Sequence, residues 1–280
     1  MSVKIVIDSS ADLTPEWKNK FTVVAMPICF GDQEYIDGVT ITHREFYEKL
    51  IETDVLPTTS QPTPDAFSQV FEQAKAAGDQ VVVITISSKL SGTYQSACIA
   101  AMDYPDTVFV VDSLTAAIGE GILAQYAYAL AESGMSAADI AEALTQQRQK
   151  VHVIAMVGTL EYLKRGGRIS KSVAFAGELL SIKPVLAIQD GSVAILGKAR
   201  GSKQANNLLI KEIQSAGGVD FTKPVLLGYT GLSDALLQKY IQDSATLWEG
   251  HEAALQSTVI GSVIGTHAGP GAVAAAFFRN

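Results

Sequence analysis

Short β-branched runs alternate along this chain with stretches whose apolar residues recur every three or four positions, the two periods that separate strand from helix. Residues 3–7 (Val-Lys-Ile-Val-Ile) predict a strand that gives way to Asp8-Ser9-Ser10. Thr14-Pro15-Glu16 then supplies a capping hydroxyl, a proline with its φ already helical and an acid for the first turn, so a helix opens there. Residues 22–30 predict a second strand and Gly31-Asp32 a turn. Thr42-His43-Arg44-Glu45 has the spacing of a capping box and predicts a helix through about Ile51. Thr63-Pro64 repeats the cap-and-proline signal, and Phe67, Val70, Phe71 and Ala74 then fall on one helical face; residues 55–62 between these helices predict a loop. Residues 80–86 and 107–111 are dense apolar runs of strand length, each followed by a helical pattern, over 93–102 and 115–133. Strands apolar on both faces and alternating with helices predict a mainly parallel sheet covered on each side.

The rhythm changes in the second half. A helix over 136–150 and a strand over 151–157 lead to a short helix that Gly166-Gly167 ends. The division is therefore expected at 1–152 for an N-terminal α/β domain and 153–280 for a C-terminal mixed α/β domain. Strands are expected over 185–188 and 193–196, joined by an Asp190-Gly191 hairpin turn, and over 225–229. A late strand over 259–264 is expected to run into Gly265-Thr266-His267-Ala268-Gly269-Pro270-Gly271 and a terminal apolar helix.

Composition narrows the function classes. Apolar residues at 48% and charged residues at 18% describe a globular protein, and 280 residues suffice for two cores. A net charge of −8 leaves no cationic excess for the counterion release that drives nucleic-acid binding, so no nucleic acid is expected as a partner. No apolar run approaches the ~18 residues of a membrane span, and residues 1–8 turn acidic too soon for a signal peptide. A cytoplasmic protein with at most peripheral membrane contact is expected. Cys29 and Cys98 make no metal or redox spacing and are expected to be buried thiols.

The candidate chemistry sits at the strand ends, where open α/β sheets bind ligands. Those loops are rich in hydroxyls: Ser9 and Ser10, Ser87 through Thr93, Ser113, and Thr58-Thr59-Ser60-Gln61. Hydroxyls and backbone N–H groups at helix N-termini can receive a carboxylate or phosphate; each serine can equally do no more than cap its helix. A nucleophilic serine would need a base, yet G-x-S-x-G is absent, and of His43, His152, His251 and His267 only His267 lies in glycine-rich surroundings that let a ligand approach. Gly119 to Ala124 spells G-x-G-x-x-A but falls inside a helical pattern, so it reads as helix packing, and 191–198 is not a P-loop. No metal spacing and no cofactor motif is present. Arg168, Lys183 and Arg200 occupy glycine- or proline-bounded positions that suit either an anion contact or a brace between domains.

Six ordered motifs together resemble the DegV family of bacterial fatty-acid-binding proteins, the acyl-carrier subunits of a fatty-acid kinase. They are Asp8-Ser9-Ser10-Ala11-Asp12-Leu13, Thr59-Ser60-Gln61-Pro62, the stretch from Ile86-Ser87-Ser88-Lys89 through Leu90-Ser91-Gly92-Thr93 to Ala97, Leu160 through Gly166-Gly167-Arg168-Ile169, Ile182-Lys183-Pro184, and Ile264-Gly265-Thr266-His267 through Gly271. The resemblance implies a long-chain fatty acid held between two α/β domains, its carboxylate on Thr59 and Ser91. Ser60, Gly92, Thr93 and His267 belong to matching motifs and would complete the polar end. It further implies a separate ATP-dependent kinase that phosphorylates the bound acid for phospholipid synthesis, the chain itself being non-catalytic. Phe175, Leu179 and Leu180 are candidates for the tail tunnel. Burying a sixteen-carbon tail at ~0.8 kcal/mol per methylene offers about 12 kcal/mol, against ~1.5–3 kcal/mol for each charged hydrogen bond, so the tail would set affinity and the head orientation. Two other readings stand beside it: a serine hydrolase or acyltransferase using Ser91 and His267, and a binding module for a small anionic metabolite.

Overall fold

The computed structural model describes residues 2–169 and 182–280. In chain order the first part holds β1 (Val3–Asp8), α1 (Pro15–Lys18), β2 (Thr22–Val24), β3 (Pro27–Phe30), β4 (Gln33–Ile36), α2 (His43–Glu52), β5 (Thr58–Thr59), α3 (Pro64–Ala76), β6 (Gln80–Thr85), α4 (Thr93–Ala101), β7 (Val108–Asp112), α5 (Ile118–Glu132) and α6 (Ala137–Gln147). After them come β8 (Val151–Met156), α7 (Glu161–Arg165), β9 (Ile182–Gln189), β10 (Ser192–Arg200), α8 (Gly201–Ser215), β11 (Leu226–Tyr229), α9 (Ala235–Asp243), α10 (Ala245–Trp248), β12 (Gln256–Val259), α11 (Ser262–Ala268) and β13 (Val273–Phe278).

The first sheet is parallel throughout, in the order β2-β1-β6-β7, with Ile5 opposite Val82 and Val83 opposite Val110. Its strands alternate faces. Val6, Val81 and Val83 meet Phe67 and Phe71 of α3 and Ala97 of α4, whereas Ile5, Ile7 and Val82 meet Ile122 of α5 and Ile140 of α6. The second sheet is mixed, in the order β10-β9-β8-β13-β11-β12, with only the β11–β12 pair parallel. Ile154, Met156, Val273 and Ala275 turn to its outer face beneath Leu209 of α8 and Tyr240 of α9. Val153, Ala274 and Ala276 turn inward to the first unit. The α/β class, with a parallel and a mixed sheet, is as expected.

Five expectations are corrected. Residues 22–30 form two strands. The chain leaves the first sheet after Val24, the Ser9 hydroxyl takes the Met26 N–H at 3.0 Å, and β3 joins a small antiparallel sheet in the order β4-β3-β5. Within the expected loop over 55–62, Thr58 and Thr59 form β5 by pairing with Cys29 and Ile28; two residues are too few to carry a period. At the C-terminus the terminal apolar helix is instead β13, buried along its whole length and paired with both β8 and β11. A strand covered on both faces shows no alternation, and Ala-Ala-Ala before Phe-Phe spells a helix as readily as a central strand. Correspondingly, the late strand stops at Val259, and residues 262–268 turn into α11, which carries His267 in its last turn. Both cysteines are free and half-buried, less enclosed than expected.

Helix α5 joins the two halves, packing against β1 and β6 on one side and β8, β11 and β13 on the other. A helix used on every side must be apolar all round, and Ile118 through Gln125 is buried without interruption, the acid Glu120 included. Its G-x-G-x-x-A spelling is helix packing: a Cβ on Gly119 would sit 2.3 Å from the Val153 side chain, and one on Gly121 would sit 2.1 Å from the Asp12 carbonyl oxygen.

That contact decides the sign of a substitution. Glycine to alanine inside a helix ordinarily stabilises by ~1 kcal/mol, but a clash with backbone costs about 1–3 kcal/mol and should win here. Gly121→Ala is expected to lower the urea midpoint; a raised midpoint would show that the Asp8–Asp12 turn gives way freely.

Candidate functional site

The carboxyl ends of β1 and β6, the short strand β5 and the end of α11 meet where the two sheets face each other. Between them lies a cavity of about 900 Å³, its open mouth included. The inward face of the second sheet supplies its floor through Val153, Ala155 and Ala274, and Ile86, Ala116 and Ala117 cover it from the first unit. Ala155 and Ala274 stand opposite each other in register, so the floor is low where two methyl groups meet. The polar lining consists of Thr59, Ser91, Arg168 and His267; every other lining residue among those described is apolar.

Each polar side chain has an identifiable reason to be there. β3 holds Thr59, which is half-buried, through the Ile28 pairing. Ser91 lies in the turn before α4, its Oγ 2.8 Å from the Oγ1 of fully buried Thr93, which braces it from behind. His267 Nε2 is 2.9 Å from Thr59 Oγ1, and among the described residues its Nδ1 meets no partner. Gly166 makes room for the ring, since a Cβ there would fall 2.2 Å from His267 Nδ1. Two residues on, Arg168 is held by donating from Nε to the Leu90 carbonyl at 3.1 Å and from Nη1 to the Gly166 carbonyl at 2.6 Å. Among the described residues it has no ion pair.

Arg168 therefore makes the brace that was one of its two expected roles, tying the second unit to the Leu90 turn, and it also lines the cavity. A second brace runs from the Ser87 hydroxyl to the Gly191 carbonyl at 2.7 Å, so the strand-end loop is tied to the hairpin of the opposite sheet. The other expected residues lie apart from the cavity. Ser60 is exposed, its N–H on the Pro27 carbonyl. Gly92 caps α4, and a Cβ there would strike the Gln61 side chain. Lys183 sits within β9 opposite Ala199, and Arg200 is exposed at the end of β10. Phe175, Leu179 and Leu180 lie outside the described residues. The alanines of the floor escaped sequence reading, because a small residue that leaves space is indistinguishable there from one that packs.

Electrostatically the polar end favours an anion. Burial, and secondarily the Arg168 charge, lowers the His267 pKa to about 4, so the ring is neutral near neutral pH and the guanidinium is the charge facing the cavity. Burial lowers the Arg168 pKa too, yet a guanidinium keeps its proton. A Ser–His nucleophile pair is not what the geometry makes, since the imidazole meets Thr59 and the Ser91 hydroxyl meets Thr93.

Comparison with known proteins bears on this arrangement. The DegV family model, described as "Uncharacterised protein, DegV family", matches residues 2–280. A fatty acid-binding protein of Thermotoga maritima is 31% identical over 98% of this chain and 96% of its own length. A DegV family protein of Thermus thermophilus, whose structure shows fatty acid binding, is 33% identical with a TM-score of 0.87 over 100% of both chains. The fatty acid kinase (Fak) B3 protein of Streptococcus pneumoniae, solved loaded with linoleic acid, superposes with a TM-score of 0.86 at 25% identity, again over 100% of both chains.

The buried imidazole predicts an acid-side loss of stability. The unfolded chain takes a proton on this ring near 6.5, whereas the folded protein refuses it until about 4. The contribution is fully present above 6.5 and falls away as pH drops toward 4. His43, also lowered to about 4 by burial, acts in the same window. His267→Asn is expected to flatten part of that slope in denaturant titrations; an unchanged slope would mean that the ring is protonated in the fold.

Proposed function

The chain belongs to the DegV family, and from that premise we propose that it binds a long-chain fatty acid and presents the carboxylate to a separate ATP-dependent kinase, without catalysing the transfer itself. The observation that carries the reading is the distribution of polarity in the cavity. Two hydroxyls, one neutral imidazole and one guanidinium without an ion pair among the described residues stand together, and the remaining described wall is apolar.

A carboxylate drawn out of water must recover its hydrogen bonds from the protein or it will not enter. Thr59 and Ser91 each have a hydroxyl proton that can turn to the carboxylate, and His267 Nε2 and Thr93 Oγ1 can then serve as donors to the two hydroxyl oxygens. Arg168 adds charge compensation from the side. The acyl chain then lies over Ala155 and Ala274, where the low floor leaves room for methylenes. Affinity rests on that burial, and the polar end sets which way round the ligand sits.

Presentation follows from position. The donors come from strand-end loops and the last turn of α11, at the seam between the units, where a partner enzyme can reach the head without emptying the tail site. Among the described residues no helix is long and apolar enough to cross a membrane, and lipid exchange in this reading takes place by peripheral contact.

Two substitutions test the two ends separately. The Thr59→Ala, Ser91→Ala double variant is expected to bind oleate at least ~10-fold more weakly, the loss of charged hydrogen bonds worth ~1.5–3 kcal/mol each. Ala155→Leu should instead exclude long acids while sparing short ones, read as chain-length dependence in calorimetry. Equal binding by the double variant would remove the head-group assignment, and an unchanged length profile in Ala155→Leu would move the tail elsewhere. Acyl phosphate should form from oleate, ATP and Mg²⁺ only when a fatty-acid kinase is added.

A further inference from the structure

The Asp8-Ser9-Ser10-Ala11-Asp12 turn fastens the carriers of three of the cavity's four polar side chains, Ser91, Thr59 and His267. Asp8 Oδ2 accepts the Ile86 N–H at 2.8 Å, at the head of the loop that leads to Ser91. Ser9 Oγ accepts the Met26 N–H at 3.0 Å, next to the strand that pairs with Thr59. Asp12 Oδ1 accepts the N–H of Gly261 at 2.6 Å, and Gly261 is the N-cap of the helix that carries His267.

At the centre of this turn one proton is contested. Ser10 Oγ lies 2.6 Å from Asp8 Oδ1 and 3.1 Å from Glu120 Oε2, all within the protein interior. A hydroxyl carries one proton and cannot donate to two carboxylates. Asp8 is the better anion, because the Ser10 N–H and the Ile86 N–H both point at it as well. Among the described residues Glu120 receives no other hydrogen bond, and its Oε1 has no partner. The proton balance closes only if Glu120 holds a proton and gives it to the Ser10 oxygen while Ser10 gives its own to Asp8.

We propose that Glu120 is a proton-bearing positioning residue: its neutral carboxylic acid donates to Ser10, Ser10 donates to Asp8, and Asp8 thereby holds the strand-end loop of Ser91 in place. The surroundings agree. Burial raises the Glu120 pKa well above the usual carboxylate range, and Asp8 from β1, Asp12 from the turn after it and Asp112 from β7 all push the same way, opposed by the Ser10 hydrogen bond. Among the described residues these acids do not group as a metal site, and no cation pairs with Glu120. A raised carboxylate contributes stability that is full below its unfolded value of 4.5 and is lost as pH rises through the folded one, the reverse of the His267 slope.

The test compares the native protein with Glu120→Gln, whose amide can still donate to Ser10, and Glu120→Leu, which cannot. At neutral pH the infrared difference spectrum of native protein minus Glu120→Gln is expected to show the carbonyl stretch of a protonated carboxylic acid, and Glu120→Gln should lose part of the decline in stability that sets in as pH rises above 4.5. Glu120→Leu should bind oleate about fivefold more weakly, one hydrogen bond's worth, with Glu120→Gln recovering native binding. Should Glu120→Leu fail to fold, the spectrum and that slope in Glu120→Gln decide the matter. A difference spectrum without that band, or an unchanged slope above pH 4.5 in Glu120→Gln, overturns the proposal. Only the binding comparison rests on the fatty-acid reading; the band present in a protein that binds no oleate would defeat that reading and leave this one intact.

Discussion

A carboxylate withdrawn from water needs donors already in place, and the polar end of this molecule is organised around that requirement. Thr59, Ser91 and His267 come from three segments far apart in the chain, so no local structure can hold them together. The holding is done by backbone N–H groups tied to buried side chains of one turn: Ile86 to Asp8, Met26 to Ser9, Gly261 to Asp12. Tyr47 adds a further tie by donating to the Ile260 carbonyl at 2.8 Å. The consequence is that these side chains are already held in place, so a carboxylate ligand of the kind proposed would lose little entropy in ordering them.

The same organisation explains why so much charge is buried near an otherwise apolar cavity. Asp8, Asp12 and Glu120 are fully enclosed, an expensive arrangement unless each is hydrogen-bonded or neutral. Asp8 meets the first condition with three donors, and a protonated Glu120 meets the second. The neutral His267 and the raised Glu120 then tilt stability in opposite directions with pH, the imidazole contribution falling away as pH drops below 6.5 and the carboxylic acid contribution as pH rises above 4.5.

Local signals in the sequence were reliable wherever chemistry within a few residues decides the outcome. The capping box at Thr42 and Glu45 forms as spaced, the Thr63-Pro64 cap opens α3, and Asp190-Gly191 turns the β9–β10 hairpin. Tertiary context decided the rest. The 273–278 run is a strand because β8 and β11 flank it and both its faces are covered; no residue within it says so. The hydroxyl loops read as a candidate anion receptor, and motif resemblance named Thr59, Ser91 and His267, which the structure brings to one cavity. The Arg168 side chain was legible only as a fixed cation, since its place on the cavity wall depends on the Leu90 carbonyl, 78 positions away. Ala155 and Ala274 were invisible for the opposite reason: their contribution is absent volume. Glu120, in the first turn of an apolar helix, reads as an ordinary N-terminal acid until Ser10 is seen beside it.

The central claim is that this cavity holds a fatty acid by its tail with the carboxylate at the Thr59–Ser91 end. Native mass spectrometry of the protein as purified, followed by chloroform extraction and identification of what is released, tests it most directly. The account predicts a stoichiometric adduct of long-chain fatty-acid mass that is lost on extraction, returns when oleate is added, and fails to return in the Thr59→Ala, Ser91→Ala variant. A protein that carries no lipid and takes up none, or one that retains a small phosphorylated metabolite instead, would contradict it.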